Sequence, residues 1–280
     1  MRKLVDIVGK LSKEELIRSE EDRFTNQLKS VIKEIDDQCL HIVLLSGPSG
    51  SGKTTTSLRL KDLLEAEGRR TLIFSMDNWY KSRDSEDIPR DDKGNIDYES
   101  PNCIDLPLLN SHIHQLMEGK EVNIPHFDFI NQKMTYNGNK CKLNSKSDIV
   151  IIEGIHALNS CIKVADGIRV FINPSDLEVN TNEILTGSEL RLLRRIVRDE
   201  KYRGMTPEAT IKKWESVTRG EKLYIEPNKK NVDIEIDSLI AYEVFIHDIH
   251  SVFDYSYGVK VNNITEKDIP KGSILEEFYR

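Results

Sequence analysis

The sequence predicts an α/β fold, a parallel sheet with helices on both faces. The first observation is a set of short, continuous apolar runs at residues 42–45, 71–74, 149–152 and 168–172, as expected of strands buried on both faces. The second is that helix-like stretches such as 52–67 alternate with these runs. The third is length, because 280 residues are enough to bury a sizeable core.

The chain divides by character into three parts. Residues 1–38 read as an N-terminal helical extension, residues 39–245 as the main domain, and residues 246–280 as a C-terminal segment that packs on it. Within the main domain we expect an insertion at about 78–145 and a helical lid at about 185–215.

The N-terminal extension has a clear helix start. Ser12 with Glu15 three positions later forms a capping-box pattern. An apolar stripe at helical spacing follows, and we expect it to pack against the main domain. Its members are Leu16, Phe24, Leu28, Val31, Ile32 and Ile35.

The insertion carries a predicted helix near 105–118 and a predicted hairpin at 121–143. Asn137-Gly138 is a turn signal inside that hairpin. The insertion follows the second strand, beyond whose carboxyl end ligands bind in open α/β sheets. We therefore expect it to hold a substrate.

Composition excludes several classes of protein. The chain has 40 Lys and Arg against 47 Asp and Glu, a net charge of −7, which disfavours broad binding of nucleic acid or membrane. Apolar runs are too short to cross a bilayer, and the N-terminus is too charged for a secretory signal. The four cysteines are scattered, unlike a disulfide framework or a zinc site. We expect a cytoplasmic protein with no nucleic-acid or membrane partner.

The strongest motif is a phosphate-binding loop between the first main strand and its helix. Residues 47–54, GPSGSGKT, match GxxxxGK[ST] in full. Such a loop points backbone N–H groups at phosphate oxygens, and the helix adds its positive end. The motif predicts a P-loop NTPase fold and a nucleoside-triphosphate site. The residues expected to bind ATP are Gly47, Pro48, Ser49, Gly50, Ser51, Gly52, Lys53, Thr54 and Thr55.

Two acidic residues follow predicted strands and should converge beside this loop. Asp77 follows the run 71–74, and Glu153 follows the run 149–152. With the Thr54 hydroxyl they supply the oxygen ligands that Mg²⁺ prefers, and one of them could accept a proton from an attacking hydroxyl. Either one alone could instead cap a helix.

Four arginines share one predicted helical face at spacing i, i+3, i+4 and i+7: Arg191, Arg194, Arg195 and Arg198. In an acidic chain such a cluster could clamp a transferring phosphoryl group in a closing lid. The alternative is a solvated face paired with Asp199 and Glu200.

From about Leu40 to Glu243 the chain resembles the uridine kinase and phosphoribulokinase family. The segments that carry the resemblance are 47–54, 75–80, 96–101, 125–129, 152–158, 193–199 and 203–204. The segment 153–159, EGIHALN, and the extra N-terminal helices resemble a bacterial side branch whose substrate is not established.

The resemblance implies roles for individual residues. It implies that ATP is the phosphoryl donor and that Mg²⁺ is held by Thr54, Asp77 and Glu153. The implied catalytic residues are Lys53, Asp77, Arg195 and Arg198. The implied substrate-binding residues are Tyr80, Asp97, Glu99, Phe127, Gln132, Arg195 and Arg203.

Departures from the family pattern concern the acceptor. Phe127 stands for a Tyr, Gln132 for a His that reads the pyrimidine, and Met205 for an Arg. Glu99 stands nearest the substrate-binding Asp of the family, with Asp97 two residues before it.

The sequence therefore predicts an ATP-dependent kinase that phosphorylates the 5′-hydroxyl of uridine or a related nucleoside. One alternative is a phosphoribulokinase-like kinase of a sugar or another small alcohol, although the many acidic residues of 84–105 favour an uncharged acceptor. A second is a P-loop NTPase that acts by conformational change, since residues 91–94 match DxxG and 228–231 nearly match NKxD. A homo-oligomer stays open.

Overall fold

A computed structural model describes residues 1–9, 11–145, 147–164, 166–246 and 264–279. In chain order, the strands are β1 (Arg2–Lys3), β2 (Ile42–Ser46), β3 (Thr71–Ser75), β4 (Val122–Asn123), β5 (His126–Asp128), β6 (Lys133–Thr135), β7 (Lys140–Cys141), β8 (Ile149–Glu153), β9 (Ile168–Asn173), β10 (Leu177–Asn180), β11 (Glu183–Leu185) and β12 (Ile234–Asp237). The helices are α1 (Leu4–Val8), α2 (Lys13–Asp37), α3 (Lys53–Ala66), α4 (Leu106–Met117), α5 (Gly187–Arg203), α6 (Pro207–Gly220), α7 (Glu243–Ile246) and α8 (Glu276–Tyr279).

The central sheet is parallel, in the order β12-β9-β2-β8-β3. Four of its strands, β2, β3, β8 and β9, begin at the first residue of an apolar run in the sequence and end one residue after it. Every residue of β2 and β8 is buried, which explains why these strands read as continuous apolar runs. The predicted α/β class and parallel sheet are confirmed.

Alternate residues of each strand face two separate cores, as the pleat requires. Val43 and Leu45 face a core that contains α2, α3 and α5. Ile42 and Leu44 face a second core that contains α4. Helices therefore cover both faces of the sheet.

The long helix α2 begins at the predicted capping box, in which Ser12 and Glu15 bond reciprocally. Its whole apolar stripe is buried in the same core as the sheet. Two glutamates on this buried side are also satisfied. Glu20 pairs with Arg2 and accepts from the Ala241 N–H, while Glu21 accepts from the hydroxyls of Tyr242 and Ser273. Helix α2 thus contacts residues near both ends of the described chain. The predicted boundary between the N-terminal extension and the main domain at residue 38 stays a prediction.

The insertion folds as two short antiparallel pairs, β4 with β7 and β5 with β6. The prediction that Asn137-Gly138 makes the hairpin turn is wrong. The chain reverses at 129–132, where the Asp128 carboxylate accepts from the backbone N–H groups of Ile130 and Asn131. This Asx-type turn competes with the local Asn-Gly signal and sets the register.

Strand β12, the β10–β11 hairpin and the pairing of β1 with β10 are not predicted from the sequence. Strand β12, Ile-Glu-Ile-Asp, is short and half polar because it lies at the edge of the sheet. Among the described helices, none combines the length and apolar character that a membrane span requires.

Candidate active site

The phosphate loop leads from β2 directly into α3. Gly50 is required at its position, because its φ is +79° and a Cβ there would lie 2.7 Å from the Arg191 carbonyl oxygen. The loop is thus packed under helix α5. Lys53 Nζ donates to the Pro48 carbonyl oxygen at 3.1 Å, which curls the side chain back over the loop.

Lys53 lies among acidic groups. Burial lowers the pKa of its ammonium, and the carboxylates of Glu153 and Asp77 act in the opposite direction. Both predicted acidic residues are therefore close enough to interact with the phosphate-loop lysine.

The convergence of Asp77 and Glu153 follows from strand register. Ser75, the last residue of β3, pairs with Glu153, the last residue of β8, and Asp77 lies in the single helical turn after β3. Burial raises the pKa of Asp77, with Lys53 and Arg203 opposing the shift. Burial and the neighbouring Asp77 raise the pKa of Glu153 to about 7.

These residues fit a magnesium ion on the chemistry of their donors. Asp77 and Glu153 offer carboxylate oxygens, and the exposed Thr54 side chain lines the same cavity. Two carboxylates this close together resist ionising at the same time, and a divalent cation is the group that would let both ionise. The loop itself contains Ser51, which is fully buried with its hydroxyl oxygen lacking a described partner.

One cavity of about 1620 Å³ joins the loop to the substrate side. The predicted residues that line it are Ser49, Gly50, Gly52, Lys53, Thr54, Asp77, Tyr80, Glu99, Phe127, Gln132, Glu153, Arg195, Arg198 and Arg203. The predicted residues outside its lining are Gly47, Pro48, Ser51, Thr55 and Asp97.

Asp97 and Glu99 differ in whether their carboxylates are held by other side chains or line the cavity. Asp97 is buried, and its Oδ2 forms an ion pair with Arg219 at 2.9 Å and accepts a hydrogen bond from the Tyr224 hydroxyl at 3.1 Å. Glu99 faces the cavity instead, and burial raises its pKa to about 7. Gly220 permits this approach, because a Cβ there would lie 2.2 Å from the Cβ of Glu99. Glu99 is the carboxylate available to a ligand.

Aromatic side chains form the wall beside Glu99. The Phe127 ring is buried and lies 5.6 Å from Tyr80 and 5.0 Å from Phe129. The Tyr80 hydroxyl donates to the Tyr98 carbonyl oxygen. Gln132 has a φ of +53°, and its Oε1 accepts from the Tyr98 hydroxyl at 3.1 Å.

Three arginines of the predicted lid converge on one buried carboxylate. Asp199 is fully buried and lies 3.2 Å from Arg195, 3.2 Å from Arg198 and 3.3 Å from Arg203. Arg195 also donates to the Ser49 hydroxyl at 2.9 Å. Asp199 therefore holds these cations at the edge of the cavity, beside the loop.

The expectation that all four lid arginines form one clamp is wrong for Arg194. Its side chain is fully buried and pairs with Glu243. Arg191 is also buried, where it pairs with Glu221 and donates to the Ser49 carbonyl oxygen. The alternative of a solvated face is also wrong, because these arginines are buried. Buried arginines need acidic or carbonyl partners from elsewhere in the fold, which helical spacing alone does not reveal.

The fold also brings to the cavity residues that the sequence patterns do not predict there. Lys212 and Lys213 of α6 line it, as does Glu277 of α8. The apolar residues around Glu277 predict that this segment packs on the domain. Nothing in the local sequence indicates that the Glu277 side chain reaches the cavity.

Comparison with known proteins supports a kinase fold. The family model described as phosphoribulokinase / uridine kinase matches residues 42–244. A uridine kinase of Macrococcus caseolyticus is 33% identical over 198 residues, covering 70% of this chain and 86% of that one. A uridine kinase of Lactobacillus johnsonii is 30% identical over 217 residues, which cover 75% of this chain and 94% of that one. A solved structure titled as a possible uridine kinase from Bacillus stearothermophilus superposes with a TM-score of 0.51 at 19% identity, covering 76% of this chain and 98% of that one.

Proposed function

Because this chain belongs to the phosphoribulokinase / uridine kinase family, we propose that it transfers the γ-phosphoryl group of ATP to the 5′-hydroxyl of uridine or a related nucleoside. The observation that carries the proposal is that the phosphate loop, Asp77 and Glu99 all line one cavity. Donor and acceptor can meet there.

Asp77 is the proposed base. Asp77 lines the cavity close to Lys53, where its carboxylate can accept a proton from the attacking hydroxyl. Lys53, Arg195 and Arg198 are the cations positioned to neutralise charge that develops on the transferring group. Thr54, Asp77 and Glu153 are the proposed magnesium ligands, and the ion would offset the charge of the phosphates.

The acceptor half of the cavity suits a nucleoside. Glu99 can accept hydrogen bonds from sugar hydroxyls, and the Phe127 ring offers a flat apolar surface to a base. Gln132 supplies both a donor and an acceptor to the base edge.

A second candidate is a kinase whose acceptor already carries a phosphate. The cavity lining is richer in cations than the acidic stretch 84–105 suggests, because Arg83, Arg90, Lys212 and Lys213 contribute to it. The third alternative, an NTPase that acts by conformation, has less support. The Asp91 carboxylate of its DxxG match is bonded to the N–H groups of Lys93 and Asn95 within a local turn.

The test is a coupled ADP-release screen of the full chain over nucleosides, sugars and sugar phosphates. A nucleoside as best acceptor supports the proposal, and a sugar phosphate supports the second candidate. Nucleotide hydrolysis that no acceptor accelerates would overturn both in favour of the NTPase. The variant Lys53→Ala should lose turnover while remaining folded, whereas Lys61→Ala, on the same helix in a surface pair with Glu65, should not.

A further inference from the structure

A carboxylate that is distant in sequence, that of Glu277, lies at the first turn of helix α3, directly after the phosphate loop. Glu277 Oε2 accepts from the Thr55 hydroxyl at 3.0 Å and from the Thr55 backbone N–H at 3.4 Å. Thr55 lies in the first turn of α3, where the N–H groups have no partner within the helix. An anion is favoured at that position.

The surrounding segment fixes Glu277 in place. Ile274, Leu275, Phe278 and Tyr279 are buried in the core shared by the sheet and α2. The Ile274 side chain approaches the loop so closely that a Cβ on Gly52 would lie 2.5 Å from its Cδ1. Glu277 itself keeps 20% of its side chain exposed and lines the cavity, so it can rotate while its neighbours stay anchored.

The same carboxylate also reaches a lid arginine. Arg198 Nη1 lies 3.9 Å from Glu277 Oε1. Arg198 is one of the cations assigned above to the transferring phosphoryl group. Glu277 therefore contacts a helix-terminal donor and a cation that are both suited to a polyphosphate.

We propose that Glu277 is a built-in competitor of the nucleotide, a carboxylate that holds part of the phosphate site until a polyphosphate displaces it. The inference rests on the proposed function, because it assumes that the loop binds a nucleoside triphosphate. The physical reason is that a phosphate oxygen and the Glu277 carboxylate require the same donors and repel each other. Displacement costs the hydrogen bonds of Glu277, so affinity for the donor is lower than the loop alone would give.

The experiment measures binding of ATP to the full chain by calorimetry, without any acceptor. Glu277→Gln removes the charge but keeps the shape, and we expect the Kd for ATP to fall about tenfold or more, the range for hydrogen bonds to a charged group. Inorganic tripolyphosphate should gain by the same factor, and adenosine, which has no phosphate, should gain nothing. The matched control is Glu276→Gln, since Glu276 is a similarly half-buried neighbour that accepts from the Gly272 N–H and should leave the Kd unchanged.

The outcomes separate this inference from the proposed function. ATP binding that is equal or weaker in Glu277→Gln overturns the competition but leaves a nucleotide-binding kinase. A gain shared by adenosine also overturns it, because the variant would then have opened the site in general. Absence of ATP binding in both folded proteins overturns both proposals. Thermal melting confirms the fold of each protein, and Glu277→Ala provides a second variant with the same expected gain.

Discussion

The buried pair between Arg194 and Glu243 makes a sharp prediction about stability. The two side chains are 0% and 1% exposed, and Arg194 donates to both carboxylate oxygens at 2.8 and 2.7 Å. Arg194 also donates to the Ser238 carbonyl oxygen at 2.9 Å and stacks over the Phe278 ring. The change is Arg194→Met, which keeps much of the side-chain volume and removes the charge.

The magnitude follows from what the substitution leaves behind. Glu243 keeps one described side-chain donor, the Tyr279 hydroxyl at 3.0 Å, but loses the cation that balances its charge. Breaking a buried ion pair by removing one partner costs ~3–5 kcal/mol. For a chain of this size each kcal/mol corresponds to about 2–4 °C, so the melting temperature should fall by about 6–20 °C.

The assay is thermal and urea unfolding followed by circular dichroism. Arg69→Met is the control, since Arg69 pairs with the exposed carboxylates of Asp36 and Glu67 and the change should cost about 0–1 kcal/mol. Removing both partners, with Arg194→Met and Glu243→Met together, should recover part of the loss because no orphaned carboxylate remains. If Arg194→Met costs no more than Arg69→Met, the assignment of Arg194 to the core rather than to catalysis is refuted.

Three further predictions concern turnover, each measured with the best acceptor from the screen. Asp77→Asn should lower kcat by about two to four orders of magnitude with little change in ATP affinity; unchanged kcat with poor ATP binding would make Asp77 a nucleotide contact only. Because the pKa of Glu99 is raised to about 7, its carboxylate ionises only as the pH rises through that value. The kcat/KM for the acceptor should therefore fall as the pH drops below 7, and it should fall less steeply in Glu99→Gln. The same dependence of kcat/KM on pH in both proteins would contradict this. Gln132→His with Met205→Arg should raise kcat/KM for uridine and leave KM for ATP nearly unchanged, unless uridine is already the best acceptor and the double variant gains nothing.

The parts of the fold that the sequence predicts well are those in which local pattern is sufficient. Strands β2 and β8 are buried on both faces, so only apolar residues fit them. The phosphate loop is predicted because its glycines and Lys53 act within eight consecutive residues. The predicted position of the hairpin turn is wrong because the Asp128 side chain closes a turn at 129–132, where the sequence signal is weaker than that of Asn137-Gly138.

Long-range partners were beyond the sequence. Arg194 and Arg195 are adjacent and chemically identical, yet one turns to Glu243 in the core and the other to Ser49 at the loop. Glu277 meets Thr55 across 222 positions of sequence, and no spacing rule relates the two. Such contacts depend on the packing of α5 and α8, which the helical periodicity of each segment does not determine.

The buried carboxylate of Glu21 should make the unfolding of the chain cooperative. Its carboxylate joins α2 to Tyr242 and Ser273, so the first long helix and residues 264–279 pack on one core together with the sheet. Neither can detach without exposing apolar side chains of the other and leaving a buried carboxylate unsatisfied. Heat or denaturant should therefore unfold the chain in one transition seen alike by every probe, and an excised 42–244 fragment should unfold in a broadened, less steep transition.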